Sequence, residues 1–394
     1  MSAAVPPGTP ATPALPRELG RHDRGVPGPT LLVLAGVHGN EPAGVAAAQR
    51  VLAELVRRDA PIRGRIVAFA GNLGALALGR RYQHRDLNRG WGAAAIAAMA
   101  QRVGPDRSPE DDEQRDLLRG VADVLATATG PALFVDLHTS SADGPPFLCL
   151  ADTIDNRRLG LATGVPIILG IEETIDGAAL EWFGARGVAA LAVEGGRHQH
   201  PDTVGNHEAV LWLLLARIGA VPPDVADVPA RRACLERAVG RTPRIVEITR
   251  RHAITPADAF AMAPGFVNFD RVRRGQVLAR DVRGDVRAEA DRRVLLPLYQ
   301  PQGDDGFFLA RPVAPFWLRV AAVLRSRRAD ALLPFLPGIR RDPADPDTLL
   351  ADRRVARWFT VEVFRLLGYR RERPRGDRLL AFTRRRSRPE NRRL

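Results

Sequence analysis

Lysine is missing from the 394 residues, so all 58 basic side chains are arginine, and there are only two cysteines, three methionines and three tyrosines. Cys149 and Cys234 both lie in apolar or helical contexts, which excludes a disulfide framework and fits a reducing, cytoplasmic setting. Long hydrophobic runs are absent as well: Leu211-Trp212-Leu213-Leu214-Leu215-Ala216 is too short to span a bilayer, so no membrane partner is expected. The first ten residues carry neither a basic region nor an apolar core, which excludes a signal peptide and leaves residues 1–29 as a flexible, proline-rich arm. Aromatic residues do not interleave with the arginines and no nucleic-acid motif is found, so the net charge of +13 predicts no specific nucleic-acid partner. The charge is also uneven. Residues 370–394 hold eleven arginines against three acids, a net +8 that leaves +5 for the rest and reads as a solvated tail.

The length is ample for two domains with sizeable cores. Strand-like apolar runs at 30–36, 65–70, 132–138, 146–151, 165–171 and 188–194 alternate with helical stretches near 42–58, 92–102, 110–127, 155–163 and 177–185. Another helix over 203–215 closes the unit. This alternation predicts an α/β fold, a mainly parallel sheet with helices on both faces, over residues 30–220. After a proline-rich boundary at 221–229, short glycine-punctuated strands predict a small β sandwich or barrel over 221–311. From 312 to 394 the chain reads as a helical extension with an Arg-rich tail, packing on the β domain or forming a homo-oligomer interface.

Chemistry concentrates at the ends of the apolar runs. His38 and Glu41, in Val37-His38-Gly39-Asn40-Glu41-Pro42, follow the run Thr30–Gly36 and precede a helix. Open α/β sheets bind ligands at such carboxyl ends. An imidazole and a carboxylate there, plus one histidine from elsewhere, make the His₂Glu set of a catalytic zinc with an open position for water. By itself HxxE is also what a short polar loop holds. Asp136 and His138 end the next such strand and share one face by its period of two. His138 can supply the third ligand; Asp136 can support it or meet substrate. The segment Arg80–Trp91 offers forked donors for a carboxylate or a developing oxyanion. Glu194 ends a further buried run before Gly195-Gly196, where a general base belongs.

These motifs, HGNE, then Arg81 shortly before DLNR, then DLH, then VEGG, resemble in kind and order those of the succinylglutamate desuccinylase/aspartoacylase family, relatives of the zinc carboxypeptidases. The resemblance spans roughly residues 30–310. It implies a zinc carboxypeptidase-like fold with a small β domain leaning over the active site. It further implies one Zn²⁺ per chain on His38, Glu41 and His138, with Arg81 polarising the scissile carbonyl. Asn88 and Arg89 would hold a substrate carboxylate, and Glu194 would act as general base and then acid. The implied reaction is hydrolysis of the amide bond of an N-acyl amino acid or a similar small carboxylate-bearing amide. A metallocarboxypeptidase acting on short peptides and a non-catalytic ligand-binding protein are the alternatives.

Departures from the family pattern bear on the substrate. Thr139-Ser140 follows DLH where relatives often have Asn-Thr. Gly184 stands where some members carry a second carboxylate-binding arginine, with Arg186 close enough in sequence to replace it. Tyr299 and residues near Gln302 are candidates for the pocket or its rim. His198 and His200 read as loop or pocket-lining residues, and His207 as structural.

Overall fold

The computed structural model describes residues 15–385 except 353 and 355–357. It contains an eleven-stranded sheet in the order β1-β3-β2-β4-β7-β5-β6-β8-β14-β13-β10. The first eight strands are β1 (Glu18–Asp23), β2 (Thr30–Ala35), β3 (Arg65–Ala70), β4 (Ala132–Ser140), β5 (Phe147–Leu150), β6 (Ile167–Leu169), β7 (Ala189–Arg197) and β8 (Ile245–Ala253). Next come β9 (Ala261–Met262), β10 (Arg271–Val272), β11 (Val277–Asp281), β12 (Gly284–Arg287), β13 (Arg292–Leu295) and β14 (Asp305–Pro312).

β3, β2, β4 and β7 are parallel neighbours, as are β5, β6 and β8. The expected mainly parallel sheet is therefore mixed: β1, β14, β13 and β10 add antiparallel edges, and β5 runs against β7. Alternate residues of β2 serve two cores, which is why the strand is apolar throughout. Leu31, Val33 and Ala35 pack with helices Ala43–Arg57 and Thr203–Arg217, whereas Leu32 and Leu34 pack with Leu117, Val121 and Phe134 on the other side. Both faces are thus covered by helices.

Three differences from the sequence reading stand out. Residues 18–23, assigned to the flexible arm, form an edge strand on β3, because backbone pairing there needs few apolar side chains and a charged edge is the common way to guard one. Residues 1–14 of the arm lie outside the described residues. The glycine-punctuated strands do not close into a sandwich or barrel: β8, β14, β13 and β10 lengthen the main sheet, and only β12-β11-β9 forms a sheet of its own.

The C-terminal extension is not helical overall. Helices Pro315–Ser326 and Trp358–Leu366 accompany a four-stranded antiparallel sheet, β15 (Ile339–Asp342), β16 (Asp345–Asp352), β18 (Leu379–Arg384) and β17 (Tyr369–Arg375) in that order. Its core includes Leu349, Phe364, Tyr369 and Phe382. Nor is the Arg-rich stretch a solvated tail up to Arg385. Arg370 is largely buried, bonded to Asp152 and, at 2.6 Å, to Glu247, while Pro374 is tolerated because β17 is an edge strand. Residues 353, 355–357 and 386–394 of the expected helical extension and tail lie outside the described residues. Among the described residues no helix is long and apolar enough to cross a membrane.

Candidate active site

The parallel block points its carboxyl ends to one edge. β2 is flanked by β3 and β4, so the chain reverses direction across the sheet there and leaves a crevice. His38 and Glu41 lie just past β2, and His138 lies near the end of β4 on the other side of that crevice. All three are buried, with ligand atoms within 4.8 Å of one another.

The orientation of the two imidazoles is informative. Nδ1 of His38 lies 2.9 Å from Glu41 Oε1, and Nδ1 of His138 lies 3.2 Å from Glu41 Oε2. The opposite nitrogens meet second carboxylates. His38 Nε2 is 3.1 Å from Asp86 Oδ1, and His138 Nε2 is 2.9 Å from Asp136 Oδ2, the latter too oblique for a hydrogen bond but a close electrostatic contact. A carboxylate behind each histidine is the arrangement that orients metal-ligating imidazoles. Two nitrogens and a carboxylate, buried and so backed, suit a divalent metal such as zinc, and these residues could hold one. Burial opposes charge on Glu41, but His38 and His138 outweigh it and keep the carboxyl well below the usual range. Burial likewise opposes a proton on His138, yet Asp136 and Glu41 raise its pKa well above normal.

Asp86 is the residue sequence reasoning missed. It sits in the quoted DLNR, where it also accepts the Asn88 backbone N–H at 2.8 Å and binds Arg81 Nη2 at 2.9 Å. Its self-capping position beside an arginine was the available signal. Asp136 is fully buried and absent from the cavity wall, so direct contact with substrate, one of its two expected roles, does not fit; the carboxylate stands behind His138.

The other expected residues share one cavity of ≈ 150 Å³ with the three candidate ligands: Arg81, Asn88, Arg89 and Glu194 all line it. Arg81 reaches within 3.6 Å of Glu41 Oε1. Asn88 places Nδ2 3.4 Å from His138 Nε2 and accepts the Ala179 N–H through Oδ1. Arg89 is tied to Asp305 at 3.0 Å, a partner supplied by β14. Glu194 is the direct cross-strand partner of His138, and its buried Oε2 has no hydrogen-bond partner among the described residues. Desolvation lifts its carboxyl to about 7, against the pull of His138.

A polar brace closes one side. His198 Nδ1 meets Thr139 Oγ1 at 2.6 Å and its Nε2 meets Gln300 Oε1 at 3.0 Å, while Asn40 donates to the same Gln300 oxygen at 2.7 Å. The segment containing Leu296, Leu298, Gln300 and Gly303–Asp305 thereby lines the cavity. Tyr299 turns away, its hydroxyl donating to Ala263 O, and Gln302 donates to Tyr82 O. Arg186 is also outside the cavity, with its guanidinium 3.5 Å from the Trp182 ring centre, so it does not replace the missing arginine at position 184. His200 is partly exposed and outside the cavity, and His207 is wholly buried under β7.

Comparison with known proteins agrees with this geometry. Residues 27–176 match the model of the succinylglutamate desuccinylase/aspartoacylase catalytic domain. A succinylglutamate desuccinylase of Burkholderia pseudomallei is 28% identical over 283 residues, covering 67% of this chain and 74% of the relative. Among solved structures, a succinylglutamate desuccinylase from Chromobacterium violaceum superposes with a TM-score of 0.52 at 20% identity, covering 73% of this chain and 86% of that one. Murine aminoacylase 3 gives 0.51 at 18%, covering 73% and 96%. At such identities the structural likenesses speak for the fold alone. Taken with the match over residues 27–176 and the ordered motifs gathered in one cavity, they make this chain similar to the succinylglutamate desuccinylase/aspartoacylase family.

Proposed function

We propose that this protein is a zinc-dependent amidohydrolase that cleaves the amide bond of a small N-acyl amino acid. The observation that carries the proposal is the meeting, in one cavity, of the buried His38–Glu41–His138 group with a desolvated Glu194 and the Arg81 guanidinium. The activities named for the relatives, desuccinylase and aminoacylase, are of the same reaction class.

His38, Glu41 and His138 would hold the ion. When bound, it supplies Lewis acidity, polarising a carbonyl and lowering the pKa of water towards ~7. The remaining work falls to the chain. Glu194, raised to about 7, is matched to taking a proton from water near neutrality and delivering it to the departing amine nitrogen. Arg81, fixed by Asp86, presents a rigid cation to the oxygen that gains charge as the carbonyl becomes tetrahedral. Asn88 and Arg89 bind and orient the substrate carboxylate. The segment 296–305 lines one side of the cavity, narrowing the access of bulk water to these interactions.

The test is amine release by zinc-loaded protein from a panel of N-acyl amino acids and short peptides. Turnover of an N-acyl amino acid, lost in Glu194→Gln, is the expected result. Cleavage of peptides alone, or hydrolysis by Glu194→Gln at the parent rate, would sink the proposal.

A further inference from the structure

Part of the cavity wall is apolar. Across the sheet from the His138–Glu194 pair the strand order continues through β5, β6, β8 and β14. Ala192 shares the Glu194 face of β7 and pairs with Cys149 of β5. Beyond them the wall is Ile171, Leu180 and Phe308, all buried. Among the described residues Arg81 and Arg89 are the only arginines in the lining: Arg81 is paired with Asp86 and Glu41, and Arg89, assigned to the first carboxylate, also pairs with Asp305. Two further acids, Asp304 and Asp305, also line the cavity. Arg186 lies outside it and position 184 is glycine.

A second carboxylate placed against Ala192, Leu180 and Phe308 would be buried without a partner, a costly arrangement. An alkyl or aryl group there would instead leave water for a matching surface. We therefore infer that this site takes a monocarboxylate N-acyl amino acid bearing an apolar substituent, which lodges against the wall formed by Cys149, Ile171, Leu180, Ala192 and Phe308, and that it rejects dicarboxylates. The inference rests on the amidohydrolase reading given above. The apolar group can be the acyl chain or the amino-acid side chain, since both flank the scissile amide.

The decisive experiment compares kcat/KM of zinc-loaded protein on four compounds: N-acetyl-phenylalanine, N-hexanoyl-glycine, N-acetyl-aspartate and N-succinyl-glutamate. At least one of the first two is expected to exceed both dicarboxylates by about tenfold or more, and which one wins tells whether side chain or acyl chain fills the wall. Leu180→Arg, which installs a cation there, is expected to reverse the order. Equal or better turnover of a dicarboxylate by the parent protein overturns the inference while leaving the amidohydrolase intact. If none of the four is hydrolysed, calorimetric binding of the same compounds to Glu194→Gln decides: preferential binding of an apolar monocarboxylate sustains the substrate class although the reaction has failed, and preferential or equal binding of a dicarboxylate overturns it.

Discussion

His138 and Glu194 face each other as direct partners in the parallel ladder between β4 and β7. A candidate metal ligand and a candidate proton carrier are therefore held side by side on adjacent strands. Because Glu194 is not itself one of the three clustered ligands, the two functions are separable. Glu194→Gln is expected to lower kcat by about 10²–10⁴-fold while leaving the zinc stoichiometry of the parent. Activity assays paired with metal analysis of the same sample check this, and loss of the metal together with activity would contradict it.

The carboxylates behind the histidines lead to a second expectation. Asp86 and Asp136 touch the nitrogens that face away from Glu41, so removing their charge frees the imidazole orientation without deleting a ligand. Asp86→Asn and Asp136→Asn are each expected to weaken zinc affinity by roughly 10–100-fold, read by competition with a chelator of known strength. Unchanged affinity in both would mean the imidazoles are held by packing alone. Asp86→Asn should also lower kcat more than Asp136→Asn does, since it releases Arg81 too.

A third expectation concerns how the C-terminal unit is attached. Asp152, buried after β5, receives Arg157 from its own helix, Arg325 from helix Pro315–Ser326 and Arg370 from β17. Burial alone would raise its pKa, but Arg370, Arg325 and Arg157 bring it well below the usual carboxylate range. A group depressed in the folded state stabilises fully above its unfolded pKa, about 3.9, and loses that contribution as the pH falls towards the folded value. Thermal unfolding followed from pH 5 downwards should therefore show a loss of stability that is smaller in Asp152→Asn than in the parent, the remainder coming from other depressed carboxylates such as Glu41. At neutral pH, Asp152→Ala is expected to cost about 3–5 kcal/mol, because it removes the carboxylate shared by three largely buried arginines.

What was legible beforehand follows from how local each signal is. His38, Glu41, His138 and Glu194 could be placed because each ends an apolar run of β2, β4 or β7, and strand ends of a parallel block converge by topology. Asp86 escaped notice because its partner His38 is 48 residues away and only the fold reveals that approach. The C-terminal sheet was hidden by its composition. β17 reads Tyr-Arg-Arg-Glu-Arg-Pro-Arg, and its arginines are absorbed by acids from distant elements, Arg370 by Glu247 and Arg371 by Glu181. A run of charge looks solvated until its counter-charges are known. The turn at Gly376, with φ of +68°, was a hairpin signal that the arginine count outweighed.

The last expectation turns on Gly195. Its place in β7 is immediately after Glu194, and a Cβ there would collide with the ring of His207, which is wholly buried in helix Thr203–Arg217. Burial holds His207 down to about 4, so at neutral pH the ring is an uncharged packing element that cannot be displaced towards water. The ring is rigid and its helix is pinned by Trp212, Leu213 and Leu214 in the core, so the clash must be relieved by β7. Gly195→Ala is thus expected to displace Glu194 from its register with His138 and to reduce kcat by at least about tenfold, with a lowered melting temperature. Pairing it with His207→Ala, which vacates the space, should restore a large part of kcat. A single mutant with full activity would show that the helix yields instead, and failure of the pair to recover would show that the strand was perturbed by something other than this contact.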